Sequence, residues 1–184
     1  MTESLSLNMN VQSDHNHKRT YILRWNSALS RVFPMSLFES RMKMFDFGLN
    51  KFPIRIMNWQ NVHRGDIIYI VHEGESATGI VLRGRVMDEP HTYKDWCTDD
   101  SSSRLVNLHV DKMMHPNKAK LPDTSHLEGC WNKDKFMGHR YPILIEEQTA
   151  AELDELVNSY LRKNKEQFVV NKNNGVAITY YEIE

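Results

Sequence analysis

The stretch Val62 to Pro90, VHRGDIIYIVHEGESATGIVLRGRVMDEP, decides how the chain folds. Arg64-Gly65-Asp66 is a tight corner in which glycine supplies the positive φ that other residues resist. Ile67 to Val71 is a short, β-branched apolar run, the pattern of a strand covered on both faces. Glu73-Gly74-Glu75-Ser76 turns the chain. Gly79 to Val86 returns as a longer strand, and Gly84 within it marks a bulge or a sharp bend. Pro90 ends the strand because it has no N–H for a ladder. A hairpin bent by a central glycine is what a small closed β-barrel needs.

On the N-terminal side, Thr20 to Trp25 predicts a strand with Tyr21, Leu23 and Trp25 on one face, broken by Asn26-Ser27. Residues 33–47 predict a helix: Ser36 and Glu39 form a capping box, and Phe38, Met42 and Phe45 recur at helical spacing. Gly48 stops it. A second strand is expected over 54–59, IRIMNW.

On the C-terminal side, the loop His91 to Ser103 carries Tyr93 and Trp96, which either fold back on the core or contact a ligand. Residues 104–114 alternate as another strand, 116–122 form a linker, and 127–137, with Trp131, are irregular. Residues 146–162 carry the strongest helical pattern, with acids in the first turn and Arg162-Lys163 in the last, matching the helix dipole. The tail predicts a hairpin turning at Asn173-Asn174-Gly175. The expected fold is α+β: a mixed β pseudo-barrel flanked by helices, with a C-terminal β-hairpin. Strands and helices do not alternate regularly, which argues against a doubly wound sheet. The division is an unstructured segment over 1–18, a domain over 19–162, and a hairpin extension over 163–184.

The 184 residues are 40% hydrophobic, enough for a real core. No run approaches the roughly 18 apolar residues of a membrane span, and the N-terminus lacks the pattern of a secretory signal. Cys97 and Cys130 lie far apart, the usage of a reducing cytosol rather than a disulfide framework. A cytoplasmic protein with no membrane partner is expected. Net charge is −1, but its distribution is uneven. Residues 18–64 hold nine Lys/Arg against two acids, a balance of +7, while 65–184 balance at −6. That basic third is either a footprint for a polyanion or a solvated face neutralised across the fold.

No metal site is expected: CxxC and HxxxH are absent, and His109, Asp111 and His115 would converge only if a strand end folded back. GxSxG, GxxxxGK[ST] and GxGxxG are absent too. No cofactor is implied. The distinctive feature is aromatic. Trp25, Trp59, Trp96 and Trp131 all stand at element ends or in loops beside polar residues, as in Trp25-Asn26, Asn58-Trp59-Gln60 and Asp95-Trp96. A flat ring beside an amide is equipment for a planar heterocycle: the ring stacks and the amide reads the edge. The alternative is that each Trp caps a sheet end while its N–H finds a partner.

The order of these pieces resembles the EVE-like family of the PUA-like superfamily, relatives of the YTH domains. The resemblance runs over about residues 19–162 and is carried by Trp25-Asn26, Trp59 ahead of Arg64-Gly65-Asp66, Gly79-Ile80 with Gly84 to Pro90, and Asp95-Trp96. Gly138-His139 matches part of a further family motif, with Arg140-Tyr141 in place of its Ser-Gly, and Ser27 replaces a frequent Pro. The resemblance implies a pseudo-barrel whose mouth holds a flipped-out, often modified, nucleobase. It also implies bacterial members that stand alone or beside nuclease domains.

The function expected is therefore a non-enzymatic reader of a flipped or unpaired, modified base in DNA or RNA. Trp25, Asn26, Asn58, Trp59, Trp96 and His139 are its candidate base-binding residues. Arg24, Arg55, Arg64, Arg83 and Arg85 are its candidate phosphate contacts. Two other classes stay open. A small hydrolase would use Cys97, His91 or His139 with Asp95, and an interaction module or homodimer would use the C-terminal hairpin.

Overall fold

The computed structural model describes residues 18–30, 33–74, 78–92, 102–117, 120–131, 141–170 and 177–179. The hairpin of the opening stretch is present as β3 (Ile67–Glu73) and β4 (Thr78–Val86), paired antiparallel. Nearly all of β3 is buried, as its unbroken apolar run requires. The bend falls where glycine allows it: the β4 pairing with β5 (Arg104–Met113) shifts register between Arg83 and Gly84. A Cβ at Gly84 would lie 2.9 Å from the Leu108 Cβ, so the close approach of β4 and β5 needs glycine there.

β1 (Thr20–Trp25) pairs in parallel with β3, and over Thr20–Ile22 with β6 (Ile143–Ile145). β2 (Lys51–Ile56) pairs with the first half of β5. Beyond it, β8 (Ala177–Thr179) pairs in parallel with Lys112 and Met113, and β7 (Phe168–Val170) pairs with β8. The order is β6-β1-β3-β4-β5-β8-β7, with β2 beside β5.

The fold is α+β and the sheet is mixed, but the closed barrel expected from the sequence is corrected to an open sheet. Among the described strands none joins β1 or β6 to β2. The reason lies in α1 (Met35–Asp46), whose Phe38 occupies that gap. Its ring stacks on Trp25 of β1 at 4.8 Å and meets Phe52 of β2 at 6.3 Å. Phe33 adds a third contact to the same cluster. Burial of these large rings, each worth about 1.5–3 kcal/mol, outweighs a strand pairing between β1 and β2.

β2 begins three residues earlier than expected and contains Pro53. Opposite it, Asn107 directs both backbone groups toward the β4 side: its N–H donates to Asp88 Oδ1 at 3.2 Å and its carbonyl accepts from Met87 at 2.8 Å. Pro53 and Asn107 therefore form a non-hydrogen-bonded pair, and the Pro53 nitrogen points to the outer edge of β2.

α1 also differs at its start. Pro34 is the N-cap, without a side-chain cap bond, so Ser36 and Glu39 do not act as a capping box. The Glu39 carboxylate instead meets buried His115 Nε2 at 2.9 Å. Gly48, with φ +85, ends the helix as expected. α2 is one turn, Glu128–Trp131. α3 (Glu147–Lys163) buries Leu153 and Val157, and Asp154 beside them reaches the sheet.

Candidate functional site

α1 carries two stripes. Phe38, Met42 and Phe45 are buried in the core. Leu37, Arg41 and Met44, at the same helical spacing but rotated, face outward into a cleft of about 860 Å³. This cleft lies where β1 and β2 part. Its other walls are Leu23, Arg24 and Trp25 of β1, Lys51, Pro53, Ile54 and Arg55 of β2, Leu105 and Asn107 of β5, and Leu29, Ser30 and Phe33 of the connection into α1. Among the described residues that line it, four are cations (Arg24, Arg41, Lys51, Arg55) and none is a carboxylate.

The connection is held by its own polar groups. Asn26 Oδ1 accepts from the backbone N–H of Ala28 at 3.0 Å and of Leu29 at 3.3 Å. Trp25 Nε1 donates to the Phe33 carbonyl at 2.8 Å, and Ser27 Oγ lies 3.2 Å from His72 Nε2. Leu29 is left 74% exposed at the rim. Arg24 makes a forked ion pair with Glu73: Nε donates to Oε1, and Nη2 to Oε2 at 2.7 Å. Its Nη1 is buried with no hydrogen-bond partner.

The sequence-derived candidates do not gather in one place. Trp25 is a buried wall of the cleft, and Arg24 and Arg55 line it. Asn26 turns the connection beside it. Trp59 stands at the opposite end of the sheet, because β1 and β2 run in opposite directions and Trp25 and Trp59 both follow strand exits. The six-residue strands put the two rings roughly 15–20 Å apart. The Arg104 guanidinium sits 4.6 Å above the Trp59 ring, and exposed Asn58 turns the chain with φ +49. Arg64 is exposed, its backbone N–H bound to Glu89, and Arg85 is exposed on β4. Trp96 and His139 lie outside the described residues, as do Cys97 and Asp95. His91 is near Asp88 and Glu89, at 4.0 Å and 3.2 Å.

Arg83 is internal. Its guanidinium is ion-paired to Asp111 and, at 2.9 Å, to Asp154, with the Tyr69 hydroxyl 3.0 Å away. The Tyr69 hydroxyl donates to the same Asp154. Burial, then the bond to Asp154, pushes the Tyr69 phenol far above its usual value. Burial alone would lower the Arg83 pKa, but Asp111, Tyr69 and Asp154 outweigh it and raise it. Burial, then Arg83, lowers that of Lys112. Nothing in the spacing of these residues signals the network, which is assembled across β3, β4, β5 and α3. The cleft was equally hidden, although Leu37, Arg41 and Met44 are a second helical stripe that periodicity can find.

Among the described residues no group of three His, Cys, Asp or Glu is placed to hold a metal ion, and no helix is long and apolar enough to cross a membrane.

No family model matches the chain, and no curated protein does. The chain is similar to an Mmi1 YTH domain solved in complex with RNA, at a TM-score of 0.48 and 12% identity over 79% of this chain and 81% of that one. It is similar also to a hypothetical protein from Leishmania major, at 0.47 and 12% over 82% of this chain and 97% of the other. Likenesses that distant assign no function, which rests instead on the cleft.

Proposed function

We propose that this chain is a nucleic-acid-binding module whose β1–β2 cleft takes an unpaired or flipped base of DNA or RNA. The observation that carries the reading is the make-up of the cleft: apolar and aromatic walls and, among the described lining residues, four cations and no carboxylate. A nucleotide divides the same way, into a flat weakly polar ring and an anionic backbone. Arg41, Lys51 and Arg55 supply phosphate contacts, which position the strand without reading it. Trp25 and Phe33 supply wall area for the base, and Leu29, Met44 and Leu49 would receive a methyl group on a modified base, as thymine's methyl is received by apolar side chains. Arg64, Arg85 and the Trp59–Arg104 pair serve the flanking strand.

Fluorescence anisotropy of labelled single-stranded DNA and RNA, with and without modified bases, tests this. Two or three phosphate contacts give a log–log salt slope of about −1.5 to −2. Lys51→Glu and Arg41→Glu weaken binding of every sequence. Failure of all these strands to bind at about 50 mM salt refutes the reading.

A further inference from the structure

α1 ends on an aromatic ring that nothing in the chain covers. With 3.6 residues per turn, the core stripe (Phe38, Met42, Phe45), the cleft stripe (Leu37, Arg41, Met44) and Phe47 follow one another round the helix at about a quarter-turn each. Phe47 therefore stands opposite the core and next to Met44, at the mouth of the cleft rather than in its wall. Among the described residues it is the most exposed large apolar side chain, at 85%. Its backbone is nevertheless fixed. The N–H groups of Phe47 and Leu49 both donate to the Met44 carbonyl, at 3.2 and 3.3 Å, and Gly48 turns the chain with φ +85. A lone exposed apolar side chain needs no explanation, but this one continues a patch, since Met44 and Leu49 line the cleft and are themselves exposed. Exposed Lys43, one turn before Phe47, puts a cation on the same outer face of the helix. The patch adjoins an opening lined by Arg41 and Lys51, with no carboxylate among the described lining residues, so its charge suits an anionic strand. A flat ring held on a fixed backbone between cations has the make-up of a stacking platform.

We infer that Phe47 stacks on the base next to the one held in the cleft, so that the chain engages two adjacent unpaired bases, with Lys43 meeting the phosphate of the second nucleotide. This rests on the reading of the cleft as a base site. A phenyl ring has no hydrogen-bonding group, so the platform takes any base and adds affinity without reading sequence.

The test uses the full chain and three labelled single strands of equal length: wholly abasic, abasic with one central thymine, and abasic with two adjacent central thymines. The two-thymine strand is expected to bind about ten-fold more tightly than the one-thymine strand, as one further stacked base gives. Phe47→Ala removes that difference and leaves the one-thymine strand unchanged. Phe47→Leu keeps apolar bulk without a flat face and behaves as Phe47→Ala, whereas Phe47→Trp restores the difference. Thermal melts check that each variant keeps the stability of the native chain, as expected for an exposed position.

One-thymine and two-thymine strands that bind equally, both above the abasic strand, overturn the platform and leave the base site standing. A difference that survives in Phe47→Ala overturns the role of Phe47. Phe47→Leu that binds as the native chain does identifies plain apolar contact in place of stacking and overturns the platform too. Equal weakening of both thymine strands by Phe47→Ala assigns the ring to the first base and overturns the second position. An abasic strand that binds as tightly as the thymine strands, or no binding of any strand, overturns the base site together with the platform.

Discussion

Arg83→Gln separates what holds the sheet to α3 from what binds in the cleft. In the native chain the Arg83 side chain is 15% exposed and joins Asp111, Asp154 and the Tyr69 hydroxyl. Removing it leaves two carboxylates facing each other across the β5–α3 contact. Truncating one partner of a buried pair costs about 3–5 kcal/mol, whereas exposed pairs contribute about 0.2–1 kcal/mol. Asp111 and Asp154 are 37% and 42% exposed, so water recovers part of the loss and the expected cost is about 2–3 kcal/mol. That is a large fraction of the roughly 5–15 kcal/mol that keeps a domain folded. Urea unfolding followed by tryptophan fluorescence reads it, since Trp25 is buried in the core. With an m-value of about 2 kcal/mol/M, the midpoint falls by about 1–1.5 M. Oligonucleotide affinity of the folded variant stays unchanged, because Arg83 does not line the cleft. Asp154→Asn moves the midpoint in the same direction, and the double variant loses less than the sum of the two. An unchanged midpoint together with lost binding would refute the reasoning and return Arg83 to the phosphate contacts that its sequence position suggests.

Two further outcomes follow from the same geometry. The raised Tyr69 phenol contributes stability that is present below the usual phenol value near 10 and lost as pH rises above it, because only the unfolded chain then ionises readily. Urea midpoints therefore decline steeply above about pH 10, and Tyr69→Phe flattens that decline while costing about 1 kcal/mol at neutral pH. Gly79 has φ +150, and a Cβ there would lie 2.7 Å from both the Leu121 Cβ and the Pro122 carbonyl oxygen. Gly79→Ala is expected to lower stability by about 2–4 kcal/mol from crowding and backbone strain. Gly129→Ala, built into open space in α2, is neutral or gains up to about 1 kcal/mol, and thermal melts compare the two.

Strand and helix positions were legible wherever one residue pattern had one cause. The run Ile67 to Val71, the alternation in Thr20 to Trp25, and the Leu153/Val157 stripe each reflect a single buried face, and each element lies where its pattern puts it. Gly84 was legible because close strand approach leaves no alternative to glycine. The start of β2 at Lys51, ahead of the strand expected over 54–59, was not legible, because a proline such as Pro53 fits a strand only where that strand is paired on one side. Glu39 misled: the capping spacing is local, but its partner His115 is 76 residues away. Closure of the sheet was not legible at all. It depends on whether Phe38 or a neighbouring strand fills the space between Trp25 and Phe52, a competition in three dimensions. The candidate site suffered the same limit. Trp25 and Trp59 look equivalent in sequence, and antiparallel strand directions carry them to opposite ends.

Pro53 has a consequence for how copies of the chain meet. An open sheet exposes a strand edge, and exposed edges recruit strands from other molecules. On β2 that edge borders the cleft, so a recruited strand would fill the very opening a ligand needs. The missing Pro53 N–H interrupts the ladder in the middle of the edge, and the flanking Lys51 and Arg55 repel an identical cationic edge. The opening is thus guarded against self-association by the backbone itself, while a ligand recognised through side chains meets no such obstacle. Pro53→Val restores a hydrogen-bonding edge, and concentration-dependent association seen by light scattering would be its signature.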